Sequence, residues 1–201
     1  MTTRFVAIGV APVVRERLDA AIAPVRERRT GLAWTDPLGW HVTLAFLGRL
    51  PDTAVPGIVE ALGAAVRDAP GEDPGAVPRE GRALARLVVG RAASFGARVL
   101  VVEIEDDPVG RVAALGARVQ AALVEAGFPV HERAVRAHVT LARARRGSRA
   151  GPALVAETQG ALDEVPEIGA WEPRSIGVFS SHPRSGGPAR YLVDAEVAVG
   201  N

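Results

Sequence analysis

Apolar residues fall into two rhythms along this chain. RFVAIGV (4–10) is a short apolar run and predicts a strand. In the following APVVRERLDAAIAPVRERR, Val13, Val14, Leu18, Ala21, Ile22 and Val25 recur at helical spacing between Arg and Glu. GLAWTDPLGW (31–40) is a turn-rich lead-in punctuated by Asp-Pro and Leu-Gly, and HVTLAFLG (41–48) reads as a strand. Pro51 and Asp52 open a predicted helix through about Asp68, with Val55, Ile58, Val59, Leu62 and Val66 as its apolar set. APGEDPGAVPREG (69–81), rich in Gly, Pro and charge, is expected to be a surface loop.

RALARLVVG and ARVLVVEIE predict two strands joined by a turn around Ser94, Phe95 and Gly96. DDPVGRVAALGARVQAALVEAGF is the clearest helix, with Asp106 or Asp107 as its cap, Pro108 in its first turn and Gly127 as its stop. HVTLARA is the next strand, followed by a basic loop, RRGSRAGP, and a short helix near 152–160. WEPRSIGVFSS and ARYLVDAEVAV close the chain as strands joined by a hairpin loop at 182–188. The order is β-α-β-α, β-β-α-β-α, β-β, so each half carries a helix leading into an HVTLA strand and then another helix. That duplication predicts an α+β fold of two pseudo-symmetric lobes, mostly antiparallel sheet with outer helices, facing across a central cleft. The 201 residues are expected to form a single two-lobed domain.

Composition narrows the chemistry. A hydrophobic fraction of 48% and a charged fraction of 23% are those of a globular protein. No apolar run approaches the roughly 18 to 20 residues needed to cross a bilayer, and MTTRFVAIGVAPVVRERL reads as a strand entering a helix, so a cytoplasmic monomer is expected. The absence of cysteine excludes disulfides, thiolate nucleophiles and Cys-based metal sites. All 24 basic residues are arginine, which excludes a Schiff-base lysine, a P-loop lysine and a lysyl–nucleotide intermediate. A net charge of +1 argues against a surface coated for nonspecific nucleic-acid binding.

The chain has only four histidines, His41, His131, His138 and His182, and HVTLA uses two of them. Strict strand alternation puts His41, Thr43 and Ala45 on one face and Val42, Leu44 and Phe46 on the other, and repeats this with His138 and Thr140. Two imidazoles across a cleft suit in-line displacement at phosphorus: one takes a proton from water while the other gives one to the leaving oxygen. The threonine hydroxyls can hold the non-bridging oxygens. His-x-Thr is not metal-ligand spacing and no carboxylate triad accompanies it, so neither a metal nor a cofactor is expected. One HVTL alone would read as a structural strand; a scarce residue repeated in register in two similar halves does not.

These paired motifs, HVTLAFLG and HVTLARAR, resemble those of the 2H phosphoesterase superfamily. More narrowly, the chain is similar to the bacterial and archaeal RNA 2′,3′-cyclic phosphodiesterases, long called 2′–5′ RNA ligases. The similarity spans nearly the whole chain, including RFVAIGV, the W-x5-WHVTLAFLG approach, ARVLVVEI, the helix ending in EAGF, and RYLVDAEV. It implies a two-lobed α+β fold and hydrolysis of the 2′,3′-cyclic phosphate ends of RNA or nucleotides to 2′-phosphomonoesters. Within that resemblance His41 is the proton donor to the leaving ribose oxygen, His138 the acceptor from water, and Thr43 and Thr140 hold the phosphate. The chain departs from the family where Val135 and Ala137 replace the common aromatic and proline before the second histidine. A non-catalytic RNA- or nucleotide-binding module of the same fold, and hydrolysis of other small cyclic phosphates such as ADP-ribose cyclic phosphate, are the alternatives.

Arg143 is the candidate for substrate binding after the second motif, although strict alternation sets it opposite His138. Phe46 is a second candidate; it, Trp34, Trp40 and Tyr191 could each stack a base or pack in the core. Arg145, Arg146 and Arg149 read as a solvated loop, His131 as a surface residue and His182 as a loop residue.

Overall fold

The computed structural model describes residues 1–67, 84–145, 147–162, 168–184 and 187–199. Among these, nine strands and four helices run in the order β1 (Thr2–Gly9), α1 (Pro12–Arg28), β2 (Leu32–Trp34), β3 (His41–Leu50), α2 (Val55–Arg67), β4 (Arg86–Phe95), β5 (Val99–Asp107), α3 (Arg111–Glu125), β6 (His138–Ala144), α4 (Gly151–Leu162), β7 (Ala170–Trp171), β8 (Ser175–Arg184) and β9 (Gly187–Ala198). The expected loop at 69–81 lies outside the described residues.

The strands join into one antiparallel sheet ordered β7-β4-β5-β6-β3-β1-β8-β9, with β2 beside β6. The order divides at its centre into two halves of four strands each. β3, β1, β8 and β9 form one lobe; β6, β5, β4 and β7 form the other. The lobes meet where β3 and β6 pair at a single position, Val42 opposite Val139. The expected two lobes are present, and a thin seam of backbone hydrogen bonding makes their sheets continuous.

Each lobe is covered by a helix borrowed from the other half of the sequence. α1 follows β1 yet packs on α4, which rests on β4, β5 and β6; α3 follows β5 yet packs on α2 and β3. The apolar stripes drive this. Val14, Leu18, Ile22 and Val25 line the buried face of α1, and Val112, Leu115, Val119 and Leu123 that of α3. Val13, expected among them, is exposed because it lies off that stripe. Fully burying one such Leu or Ile contributes about 1.5–3 kcal/mol.

Several boundaries differ from the sequence reading. β4 begins at Arg86 and runs through Phe95, so the turn falls at Gly96 and Ala97, both with positive φ. α3 begins at Arg111, and Pro108 precedes it. Asp106 still caps it at a distance, accepting from the Gly110 and Val112 amides at 3.1 and 2.7 Å, and Gly127 ends it in the left-handed region. β8 extends through Arg184, which puts His182 in a strand.

Candidate active site

A bulge in each central strand decides which side chains face the cleft. Along β3, Thr43 lies opposite Ala7 and Ala45 opposite Val6, so Leu44 is an extra residue in the ladder. Along β6, Thr140 lies opposite Val101 and Ala142 opposite Leu100, so Leu141 is extra in the same way. A bulge resets the alternation. His41, Thr43 and Phe46 therefore share one face, and His138, Thr140 and Arg143 share the matching face. Ala45 and Ala142 are buried with the two leucines. This corrects the expectation from strict alternation, which set Phe46 and Arg143 on the opposite side.

Each bulge frees a carbonyl from the ladder, and each carbonyl has another donor. The Leu141 carbonyl accepts from the Thr35 amide at 2.8 Å, in the segment leading to the first histidine. The Leu44 carbonyl accepts from the side-chain amide of Gln120 at 2.9 Å. Gln120 also binds the Arg133 carbonyl and amide at 3.0 and 3.1 Å, in the segment leading to the second histidine. The first approach segment thus seals the bulge of the second motif directly, and Gln120 of α3 bridges the bulge of the first motif to the second approach segment.

The two imidazoles are held alike. Nδ1 of His41 donates to the Gly39 carbonyl and Nδ1 of His138 to the Arg136 carbonyl, both at 2.6 Å. A carbonyl can only accept, so Nδ1 carries hydrogen in both rings and Nε2 is left for a ligand. Each histidine directly precedes a residue of the one β3–β6 pair, Val42 opposite Val139, so both stand at the seam between the lobes.

Their surroundings differ. The His41 ring sits among Phe5, Tyr191 and Phe179, with centroids at 4.6, 5.0 and 5.5 Å. His138 meets the edge of Phe95 at 4.7 Å, and the Arg136 guanidinium lies over that same ring at 4.7 Å. Burial pushes the His41 imidazolium down to about 4; the Gly39 carbonyl opposes this, while the charges of His138 and Arg143 add to it. Burial also lowers His138, against the Arg136 carbonyl and together with the charges of Arg143, Arg136 and Arg133. His41 is thus neutral near pH 7.

The cleft encloses about 640 Å³. His41, Thr43, Phe46, His138, Thr140 and Arg143 all line it. Among the described residues its wall holds three arginines and no carboxylate, which marks a site for an anion in a chain of net charge +1. Among the described residues, too, no three His, Asp or Glu side chains come together as a metal site. His131, read as a surface residue, lines the cleft with its ring 5.8 Å from Phe46. His182 lies apart, hydrogen-bonded to Ser180. Trp40 and Tyr191 reach the wall, whereas the Trp34 indole turns away to the Arg29 carbonyl. Arg145 and Arg149 lie outside the lining, and Arg146 lies outside the described residues. Sequence reasoning missed Phe5, Phe95, Gln120, Arg133 and Arg136. Only Arg136, two residues before a motif histidine, carried a local signal.

A four-helix, curled antiparallel sheet with a His-x-Thr motif on each of its two central strands is the fold of the 2H phosphoesterases. The chain belongs to the 2′-5′ RNA ligase superfamily, whose sequence model matches residues 14–180. Among solved structures it is similar to TT0787 of Thermus thermophilus, with a TM-score of 0.67 at 20% identity over 98% of this chain and 97% of that one. It is likewise similar to E. coli LigT in its apo form, with a TM-score of 0.66 at 17% identity over 100% of this chain and 98% of that one. LigT has also been solved with 3′-AMP, and that structure matches with a TM-score of 0.66 at 17% identity over 100% and 99% of the two chains. No curated protein sequence matches. No helix among the described residues is long and apolar enough to cross a membrane.

Proposed function

We propose that this cleft opens 2′,3′-cyclic phosphates at the ends of RNA or nucleotides to 2′-phosphomonoesters, without a metal ion. Nε2 of His138 takes a proton from water as the water oxygen bonds to phosphorus. The bond from phosphorus to the ribose 3′ oxygen breaks, and Nε2 of His41 gives that oxygen its proton. Thr43 and Thr140 donate to the non-bridging oxygens and Arg143 balances their charge. His41 ends neutral and His138 protonated; exchange with solvent resets the pair.

The assignment of donor and acceptor follows the family resemblance. It requires His41, held neutral by burial, to gain its proton as the anionic phosphate arrives, since a neighbouring negative charge raises an imidazole pKa. The observation that carries the proposal is the pair of imidazoles, each locked by an Nδ1 hydrogen bond and each lining one cleft that has no carboxylate among the described residues. Family membership and the LigT complex with 3′-AMP support it.

The test is turnover of 2′,3′-cyclic AMP in EDTA, followed by phosphorus NMR. The expected product is adenosine 2′-phosphate, with His41→Ala and His138→Ala each losing roughly 10²–10⁴-fold in rate. Chelator-sensitive turnover, or variants as active as the parent, would refute the mechanism. Tight binding of 2′-phosphorylated ends without hydrolysis would instead favour a binding module.

A further inference from the structure

The cleft carries more positive charge than one cyclic phosphate can use. A cyclic phosphodiester bears a single negative charge, for which Arg143 and the two threonines suffice. Arg133 and Arg136 are left over. Both are exposed, and neither has a carboxylate partner among the described residues. Both line the cleft from the same strap of chain, residues 128–137.

That strap is tied at several points. Gln120 grips the backbone of Arg133 through both of its amide atoms. The His131 amide donates to the Phe46 carbonyl at 3.2 Å. Val135 seats against Gly116 of α3, where an added Cβ would come within 2.3 Å of its side chain. Arg136 is braced on the face of Phe95. Two guanidiniums are thus presented on a fixed backbone beside His138. Arg136 and His138 share the Phe95 ring, and the His138 ring is tied to the Arg136 carbonyl, which sets the strap on the His138 side of the cleft.

We propose that Arg133 and Arg136 form a second anion subsite, which takes the 5′-phosphate or 5′-phosphodiester of the same nucleoside whose 2′,3′-cyclic phosphate lies between the histidines. This rests on the function proposed above for the placement of the first phosphate. In a ribonucleotide end the next anionic group is the one on the 5′ oxygen, and paired guanidiniums suit phosphate by bidentate hydrogen bonding. An RNA end always offers that group. A free nucleoside 2′,3′-cyclic phosphate does not. The subsite therefore favours 5′-phosphorylated or polymeric ends.

Binding of the hydrolysed products separates this proposal from catalysis. Calorimetry compares adenosine 2′-phosphate, adenosine 2′,5′-bisphosphate and the dinucleotide adenylyl-(3′→5′)-adenosine 2′-phosphate, on the parent and on Arg133→Gln/Arg136→Gln. The bisphosphate is expected to bind the parent about tenfold or more tightly than the monophosphate, the gain expected of a charge-assisted contact. In the double variant that ratio falls to about threefold or less. A dinucleotide that matches the bisphosphate means that the subsite takes an internal diester as well; one that binds no better than the monophosphate restricts it to a terminal 5′-phosphate. Equal Kd values for the mono- and bisphosphate in the parent, or a preference unchanged by the double substitution, would overturn the proposal. Absence of turnover with intact bisphosphate preference would sink the hydrolytic mechanism and leave the subsite standing.

Discussion

The two HVTLA strands share one backbone and live in different company. Both begin with an imidazole tied to the carbonyl two residues back, both carry an extra leucine that resets the alternation, and both bury that leucine with the alanine after it. Around His41 the neighbours are Phe5, Phe179 and Tyr191. Around His138 they are Phe95 and the charges of Arg143, Arg136 and Arg133, of which Arg143 acts on His41 as well. The position after the motif's alanine repeats the contrast, with Phe46 in one copy and Arg143 in the other. Duplication supplied two equivalent Nε2 atoms, and the residues outside the motif made them inequivalent.

Substituting the threonines tests the shared part. Thr43→Val and Thr140→Val keep the shape and remove one hydroxyl each; each is expected to cost about 10²-fold in kcat, as for loss of one oxyanion donor. Steady-state kinetics that show one threonine to be dispensable would break the symmetry between the copies.

The next comparison concerns the bulges. The Leu141 carbonyl is satisfied by backbone, the Thr35 amide, while the Leu44 carbonyl depends on the Gln120 side chain. Only one of them can be unsealed by mutation. Gln120→Met keeps the length of the side chain and strands a buried carbonyl, so denaturant unfolding should show a loss of about 1–3 kcal/mol. An unchanged midpoint would mean that the first bulge holds without its clamp.

pH separates the copies less strongly. Both imidazoles titrate below 6.5, and catalysis needs one proton shared between them. The pair loses that proton as pH rises through the higher of its two apparent pKa values. Thus kcat/KM should peak below pH 6.5 and then fall by up to about tenfold per unit. A plateau extending to pH 8 would contradict the lowering of both imidazoles by burial.

Much of this was legible in the residues. HVTLA repeated in register exposed the duplication, and the 3.6-residue stripe of α1 gave its buried face apart from Val13. Two kinds of information were not local. The bulge at Leu44 cannot be read from β3, because it is defined by the partner strand β1 and by a glutamine on α3 some 76 positions away. The cleft wall likewise gathers Phe5, Phe95, Gln120 and Arg133 from distant segments. Each reads as ordinary core or surface until the sheet folds. Even the exchange of α1 and α3 between lobes leaves no mark on their amphipathic patterns, since an apolar stripe does not name the sheet it covers.

The most direct test is a nitrogen-15 NMR titration of the two imidazoles in the ligand-free protein. Both rings should report hydrogen on Nδ1, with His41 titrating near pH 4 and His138 below the ordinary imidazole value. A ring with its hydrogen on Nε2, or a His41 that titrates at 6.5 or higher, would contradict the claim that two copies of one backbone device present differently tuned nitrogens to the cleft.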